Sequence, residues 1–314
     1  MKKLMNYLIV TALFASLLGC TNEPEVIETP PVEPVVVDLV EPVVDEPVVN
    51  EIVVDEPVNN TYDISNIDIS KLQQFDIITL GTYEQDGNLD NGTEPIEWYV
   101  IGVDGNRILL QSKYALDCKP FNETIDHVTW ETCSLRKWLN TDFFNAAFTE
   151  EEQAIIPITT VENPKNPNGA STGNDTEDKV FCLNPYEYEQ YYEHTGKEPI
   201  YQTEREEYHT VYNEMLFIEP TQYATSQGAF TQTIDSDYYN SWYGLMTYFN
   251  EEDVIGKTFT YVWYRTVETT PQDETGALNA YSHGDGCTSF NGIYNVDNTE
   301  CAVLPALYID LSQE

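Results

Sequence analysis

The chain has 314 residues, with 54 Asp and Glu against 14 Lys and Arg and a formal net charge of -40. A field of this sign repels nucleic acid and anionic lipid, which excludes proteins that bind phosphate non-specifically. Because no internal repeat and no proline-rich break follows residue 63, we expect one domain after that point.

The first 19 residues have the features of a secretion signal. Two lysines precede an apolar stretch over residues 4–18, which is too short to span a bilayer comfortably as a helix. The stretch ends in Leu-Leu-Gly-Cys at 17–20, which resembles the lipobox of bacterial lipoproteins. That resemblance implies that Cys20 is lipidated and holds an extracytoplasmic protein to the cell membrane. The alternative is an ordinary signal peptide with an incidental cysteine.

Residues 20–63 are expected to form the lipid anchor and an acidic stalk rich in proline and valine. Residues 21–63 contain 12 acids and no Lys or Arg, and "VVDEPV" occurs at 43 and again at 53. Prolines remove hydrogen-bond donors and like charges repel one another, so we expect a disordered segment. At about 3.1 Å per residue, such a stalk reaches on the order of 130 Å.

Residues 64–314 are expected to form a globular domain that begins with strands. A strand is predicted over 75–81. Two apolar runs within 96–112, joined by Asp104-Gly105, predict a hairpin whose primed turn has these two residues at its centre.

The segment "DGNLDNG" between these strands places Asp86, Asn88 and Asp90 at alternate positions, as calcium loops do. However, its glycine falls one place late for an EF-hand, and no glutamate stands at the twelfth position. We therefore favour a plain polar turn.

Three helices are expected in the middle of the domain. Residues 134–148 repeat apolar side chains at helical spacing. Thr149 and Glu152 form a capping-box pattern for a second helix. Asn184 caps a third helix, with a proline at its first position, Glu187 three residues after the cap and Gly196 as its terminator.

Strands are expected again late in the chain. "TFTYVWYR" over 258–265 alternates as a half-buried strand does, and "CAVLPALYIDL" over 301–311 is an apolar strand with a proline kink. Strands on both sides of a helical region predict an α+β fold and not a wound parallel sheet.

Five cysteines lie in the domain, so at least one thiol is left over in any disulfide pattern. No C-x-x-C occurs, which leaves a zinc ribbon unsupported. Cys287 and Cys301 are the pair that we expect to bridge, because they would close a segment rich in Gly, Asn and Asp. Alternatively, all five cysteines are small buried core residues.

Four segments carry a family resemblance: "GTYEQDGNLDNGTEPIEWYVI", "WETCSLRKWLN", "GNDTEDKVF" and "NVDNTECAVLPAL". Together they resemble domain of unknown function sixty-two seventy-three, a family of uncharacterised bacterial domains. The family usually has Trp-Leu-Arg-Ser-Pro where residues 263–267 stand, and Val-Arg-Pro-Ala-Leu where residues 303–307 stand. The first arginine, Arg265, is kept, and the second is replaced by Leu304. We expect the Arg265 guanidinium to be buried and bonded to acceptors, since an unpaired buried charge is costly.

The tryptophan-rich strand and the returning terminal strand are similar to the C-type-lectin-like fold. That looped α+β scaffold is shared with phage receptor binders and formylglycine-generating enzymes, so the resemblance implies a fold and not a function.

The sequence contains no assembled catalytic motif. The four histidines lie in separate polar segments, and neither G-x-S-x-G nor H-E-x-x-H occurs. An anchor, a spacer and one head favour a surface recognition module for an extracellular glycan or protein. The alternative is an active or degenerate enzyme related to formylglycine-generating oxidases, with Cys287 and Cys301 as its thiols.

The segment over 282–300 is rich in glycine, amide and carboxylate groups. It could contact sugar hydroxyls or hold a cation, for which calcium suits such hard oxygen ligands; a long surface loop without a ligand is the alternative. The residues that we expect to bind lie in this segment and on the aromatic strand: Trp263, Arg265, Asp285, Asn291, Asp297, Asn298 and Glu300.

Overall fold

The computed structural model describes residues 60–64, 67–166, 170–193, 211–242, 247–268, 279–288 and 292–313. All of them belong to one unit that extends from Asp55 to Glu314. The predicted signal peptide, Cys20 and the stalk up to residue 59 lie outside the described residues. Within those described ranges, no helix is long and apolar enough to cross a membrane.

Seventeen short strands occur in the described ranges. In chain order they are β1 (Thr61–Asp63), β2 (Ile77–Tyr83), β3 (Glu94–Asp104), β4 (Arg107–Ser112), β5 (Asp117–Cys118), β6 (Thr159–Val161), β7 (Thr176–Asp178), β8 (Val180–Phe181), β9 (Tyr212–Phe217), β10 (Gln232–Thr233), β11 (Thr258–Phe259), β12 (Val262–Val267), β13 (Asn279–His283), β14 (Asp285–Cys287), β15 (Gly292–Asn295), β16 (Ala302–Val303) and β17 (Ala306–Asp310).

The helices are short and lie mostly between the early and late strands. They are α1 (Ser134–Trp138), α2 (Phe144–Ala147), α3 (Glu150–Ile155), α4 (Pro185–Tyr191), α5 (Gln222–Ser226), α6 (Ser236–Ser241) and α7 (Glu251–Val254). A π-helical turn, Leu139–Phe143, joins α1 to α2, and two 3-10 turns occur at Ile69–Lys71 and Leu311–Gln313.

Two sheets carry most of the fold. The larger has six strands in the order β1-β2-β3-β4-β17-β8, and the smaller has five in the order β15-β13-β12-β16-β5. Three further pairs are β10 with β11, β14 with β9, and β6 with β7. Most pairings are antiparallel, whereas β1–β2 and β12–β16 are parallel. Several sheets with few helices in one globular region agree with the predicted mixed fold.

The two sheets share one core. Its largest cluster of buried apolar side chains takes members from the six-stranded sheet, from the five-stranded sheet and from the helical region: Ile78, Trp98, Leu110, Leu307, Trp263, Val303, Leu139 and Phe143. A common core of this kind explains why residues on both sides of the helices form one domain.

The sheet begins before residue 64, where the domain was expected to start. Thr61 pairs with Ile77, and the backbone N–H of Ile77 donates to the carbonyl of Asn60 at 2.7 Å. Asp76 is 2% exposed, and its carboxylate accepts backbone N–H bonds from Asn60 and Gln73, each at 2.9 Å. Residues 60–63 therefore belong to the fold, although their composition continues that of the acidic segment.

β3 and β4 form the predicted hairpin, but its turn is shifted by one residue. Asp104 pairs with Arg107, which leaves Gly105 and Asn106 as the central residues. Gly105 has φ +60°, as the first central position of a type II′ turn requires, and Asn106 does not have positive φ. The prediction that Asp104 and Gly105 form the central pair is therefore wrong, because Asp104 still belongs to the strand ladder.

The three predicted helices are confirmed, and the first and third depart from the pattern in detail. The first runs over the expected residues but passes through the π-helical turn. The second has the predicted capping box, with reciprocal bonds between Thr149 and Glu152 at 2.8 and 3.3 Å. The third begins after Asn184 as expected and ends at Tyr191, while Gly196 lies outside the described residues.

Both late strand predictions are confirmed only in part. The run over 258–265 divides into β11 and β12, and all six residues of β12 are buried, so this strand is not half-exposed. The run over 301–311 divides at Leu304-Pro305 into β16 and β17, which belong to different sheets. The proline, which has no N–H for a ladder, stands where the chain passes from one sheet to the other.

The segment over 282–300 is not one long loop in the structure. It contains the end of β13 and the whole of β14 and β15. Gly284 joins β13 to β14 with φ +133°, and a Cβ atom built on it would lie 1.9 Å from the carbonyl oxygen of Thr260. The close approach of these backbones therefore requires glycine.

Candidate functional site

A cavity of about 520 Å³ lies beside α4, between side chains from β6, β8, β12 and β17. Small-molecule sites occupy roughly 300–1,000 Å³, so this volume suits a small ligand. We call it the Arg265–Glu187 cavity, after the ion pair in its lining. The other lining groups are mainly aromatic rings and amides: Phe181, Tyr186, Tyr191, Tyr308, Asn184 and Gln190.

Arg265 is held by four hydrogen bonds. Arg265 is 1% exposed, and its guanidinium donates to the carbonyls of Cys182 at 2.9 Å and Glu162 at 2.8 Å. It also donates to both carboxylate oxygens of Glu187, with Nη2 to Oε1 at 2.8 Å and Nη1 to Oε2 as the second bond. Such bidentate pairs are strong and directional. The expectation that Arg265 is buried and bonded is confirmed.

Glu187 has a second role at the start of α4. Its Oε2 accepts the backbone N–H of Asn184 at 2.8 Å, and the Asn184 side chain accepts the backbone N–H of Glu187 at 2.9 Å. This capping box positions the carboxylate that Arg265 binds. The sequence pattern identified the box, but it contained no signal for the arginine partner, which lies 78 residues further along the chain.

Aromatic rings form another part of the lining. The Arg107 guanidinium lies 4.6 Å from the centroid of the Tyr308 ring, and Phe181 lies 6.1 Å from the same ring. Burial raises the pKa of Tyr308, so its hydroxyl stays protonated. The hydroxyl of Tyr186 donates to the carbonyl of Lys165 at 2.9 Å. Sequence reasoning missed these rings, because they come from three separate elements, β8, α4 and β17.

Trp263, which we expected to bind a ligand, packs in the core. It is 1% exposed, and its indole N–H donates to the carbonyl of Lys119 at 2.8 Å. Its ring centroid lies 5.7 Å from that of Phe121. The indole therefore stabilises the contact between β12 and the segment after β5, and it has no face open to a ligand.

Asp285 is the first residue of β14, and it is partly buried. The Cys287 thiol lies 3.5 Å from its Oδ1. Burial raises the pKa of Asp285 from its ordinary value of 3.8 to about 6. A carboxyl group in this state is a poor ligand for a cation unless the ion displaces its proton.

The other predicted residues of the 282–300 segment either hydrogen-bond to its backbone or are partly or fully exposed. The Asn298 side chain accepts the backbone N–H groups of Glu300 at 2.8 Å and Cys301 at 3.2 Å, while the Glu300 side chain is exposed. Asp297 is partly exposed, and Asn291 lies outside the described residues.

One group of three metal-ligating side chains occurs among the residues that the structure describes, and it is Glu84, Asp86 and Glu94. It includes none of Asp285, Asp297 and Glu300. Calcium binding by the 282–300 segment therefore stays a prediction.

All five cysteines of the domain are buried. Burial raises the pKa of the Cys118 and Cys133 thiols to about 12, so neither is an activated thiolate. Cys287 is 9% exposed and Cys301 is 1% exposed. The disulfide between Cys287 and Cys301 stays a prediction.

Comparison with known protein families places this domain beside others. A family model described as a domain of unknown function (DUF6273) matches residues 105–311, which include every residue that lines the Arg265–Glu187 cavity. A search of curated proteins and a search of solved structures gave no significant match.

Proposed function

The chain belongs to the DUF6273 family, and within the matched domain we propose a recognition site in which the Arg265–Glu187 cavity binds a neutral glycan without turning it over. The module would be lipid-anchored through Cys20 and would face the outside of the cell. The observation that carries the proposal is the bidentate ion pair set among aromatic rings.

The lining suits sugar hydroxyls and the apolar faces of sugar rings. The Glu187 side chain is 24% exposed whereas that of Arg265 is 1% exposed, so the carboxylate is the more accessible partner. Carboxylate oxygens accept hydrogen bonds from hydroxyl groups, and the exposed Gln190 amide can both donate and accept. Tyrosine rings supply a rigid apolar surface with a polar end.

Charge decides between neutral and anionic glycans. The ion pair is neutral as a unit, whereas the whole chain carries -40. A field of this size disfavours an anionic ligand. We therefore propose a neutral sugar.

The same geometry favours binding over catalysis. Glu187 accepts two bonds from Arg265 and one from the backbone of Asn184, so fixed donors occupy about three of its four acceptor sites and hold the carboxylate in place. The lining residues include no histidine and no cysteine. An oxidase related to formylglycine-generating enzymes would depend instead on Cys287 and Cys301.

We include the C-type-lectin-like fold in this proposal. In its support, β17 pairs with β4 in a sheet that also contains β1, β2 and β3, as a looped fold with returning late strands requires. The central place of β12 in the smaller sheet is a second point in its favour.

A glycan array with the full-length protein in detergent tests the proposal. We expect retention of neutral glycans, and Tyr186→Ala should weaken binding about tenfold or more, equal to about 1.4 kcal/mol, because it removes a ring from the lining. Tyr114→Ala is the matched control, since Tyr114 is also partly exposed but does not line the cavity.

Two results would contradict the proposal. Retention of no glycan by the unsubstituted protein would remove the recognition role of this cavity. Consumption of a retained glycan, or a thiol-dependent oxidation that Cys287→Ser abolishes, would replace binding by catalysis.

A further inference from the structure

A separate group of carboxylates lies in the turn between β2 and β3, and none of its members lines the Arg265–Glu187 cavity. Glu84 directly follows β2, Glu94 begins β3, and Asp86 lies in the turn between them. Ligand oxygens of the three side chains all lie within 4.8 Å of one another. The strand pairing of Tyr83 with Glu94 brings the two glutamates to the same end of the hairpin.

Donors from the turn hold two of these carboxylates in place. Asp86 accepts the backbone N–H of Asn88 and the side-chain amide of Asn91, each at 2.7 Å. Glu94 Oε2 accepts the backbone N–H of Gln85 at 2.7 Å. An ionised carboxylate has about four acceptor sites, so these bonds leave lone pairs for a further ligand.

Glu84 is the member with a buried carboxylate oxygen that the fold leaves unpaired. It is 7% exposed, and its buried Oε1 has no hydrogen-bond partner. None of the salt bridges within the described ranges involves Glu84, Asp86 or Glu94. A buried carboxylate beside two others loses hydration and is repelled by their like charges, unless a cation balances them.

We propose that Glu84, Asp86 and Glu94 form a calcium site that fixes the β2–β3 turn. Calcium binds oxygen ligands at about 2.3–2.6 Å, so two ligands of one ion lie at most about 5 Å apart, as these oxygens do. The donor set is entirely oxygen, which suits calcium or magnesium and not zinc. Calcium tolerates irregular geometry and accepts backbone carbonyls and water as its remaining ligands, as an exposed turn can supply.

The site would also stabilise a neighbouring element. The backbone N–H of Tyr223 in α5 donates to the carbonyl of Gln85 at 3.0 Å. An ion bound by Glu84, Asp86 and Glu94 would therefore hold β2, β3 and α5 together.

Calorimetric titration of the full-length, chelator-treated protein with calcium chloride tests the site, with thermal unfolding in parallel. We expect saturable binding and a higher melting temperature with calcium. Glu84→Gln should weaken binding about tenfold or more and should abolish the calcium-dependent shift. Without calcium, this variant should melt at the same temperature as the unsubstituted protein or higher, because it removes an acid whose Oε1 is buried without a hydrogen-bond partner.

Asp90→Asn is the matched control, because Asp90 is an exposed acid of the same turn outside the group. It should bind calcium as the unsubstituted protein does. Asp86→Asn is the second test variant and decides the question if Glu84→Gln does not fold, since Asp86 is exposed. The proposal is overturned if calcium has no effect, if both test variants bind it unchanged, or if magnesium binds more tightly than calcium.

Discussion

At the scale of single residues, Asp285 shows how burial couples one carboxyl group to the stability of the domain. Its pKa is raised to about 6 in the folded protein, against 3.8 for an ordinary aspartate. The folded state therefore prefers the protonated form. The stabilising contribution is complete below pH about 4 and is lost as the pH rises through about 6. The difference of about two pKa units corresponds to about 3 kcal/mol.

Asp285→Asn should remove this pH dependence, because the amide has no charge to bury. The free energy of unfolding of the variant should match that of the unsubstituted protein near pH 4 and exceed it by about 3 kcal/mol above pH 6. Urea denaturation at several pH values measures the difference. A constant difference across this range would show that the carboxyl group is not the titrating one. Tyr212, Tyr238, Tyr261 and Tyr294 interact electrostatically with Asp285, but their raised pKa values keep them neutral over this range.

At the scale of elements, each of two capping boxes has a glutamate with a second, distant partner. Glu152 closes the box of α3 and also accepts the backbone N–H of Gly81 in β2 at 2.8 Å. Glu187 closes the box of α4 and also binds Arg265. In both cases the helix start is a local pattern that the sequence reveals, whereas the second bond depends on how the chain folds back.

This distinction separates what could be predicted from what could not. The early strands, the hairpin and the three helix starts follow from local spacing and turn residues. The complete burial of β12, the strands in 282–300 and the glutamates of the β2–β3 turn depend on pairing with distant segments. The cavity could not be predicted for the same reason. Of its lining residues, only Arg265 was identified in advance as a candidate site residue, through a family resemblance.

Glu152→Ala should cost more stability than Thr149→Ala. Loss of the threonine cap costs about 1 kcal/mol. Loss of the glutamate removes the other half of the box and also leaves the N–H of buried Gly81 without an acceptor, so we expect about 2–3 kcal/mol. Chemical denaturation gives both values, with exposed Glu151→Ala as the control. Equal costs for Thr149→Ala and Glu152→Ala would mean that the bond to Gly81 contributes nothing.

At the scale of the whole molecule, the proposed arrangement is an acidic head on an acidic segment attached to a membrane by lipid. Two or three acyl chains hold a protein firmly, whereas one gives only reversible binding. The net charge of -40 opposes adsorption of the head to anionic lipid. The anchor would therefore hold the protein at the membrane while its head stays clear of the surface.

Cys20→Ala should move the protein from the detergent phase to the aqueous phase in a partition experiment, because the residue supplies the thiol that lipidation needs. Thr21→Ala is the control and should leave partition unchanged. Intact-mass measurement is the decisive readout for the unsubstituted protein. An unmodified mature chain that begins at a residue other than Cys20 would refute the anchor.

The division of residues 301–311 between two sheets has a consequence for the order of folding. β16 lies between β12 and β5, and β17 lies between β4 and β8, so both sheets stay incomplete until these residues have been synthesised. Every strand that they join is made earlier. The domain therefore cannot complete its core from its N-terminal strands alone, and its closure depends on long-range strand pairing, which forms slowly.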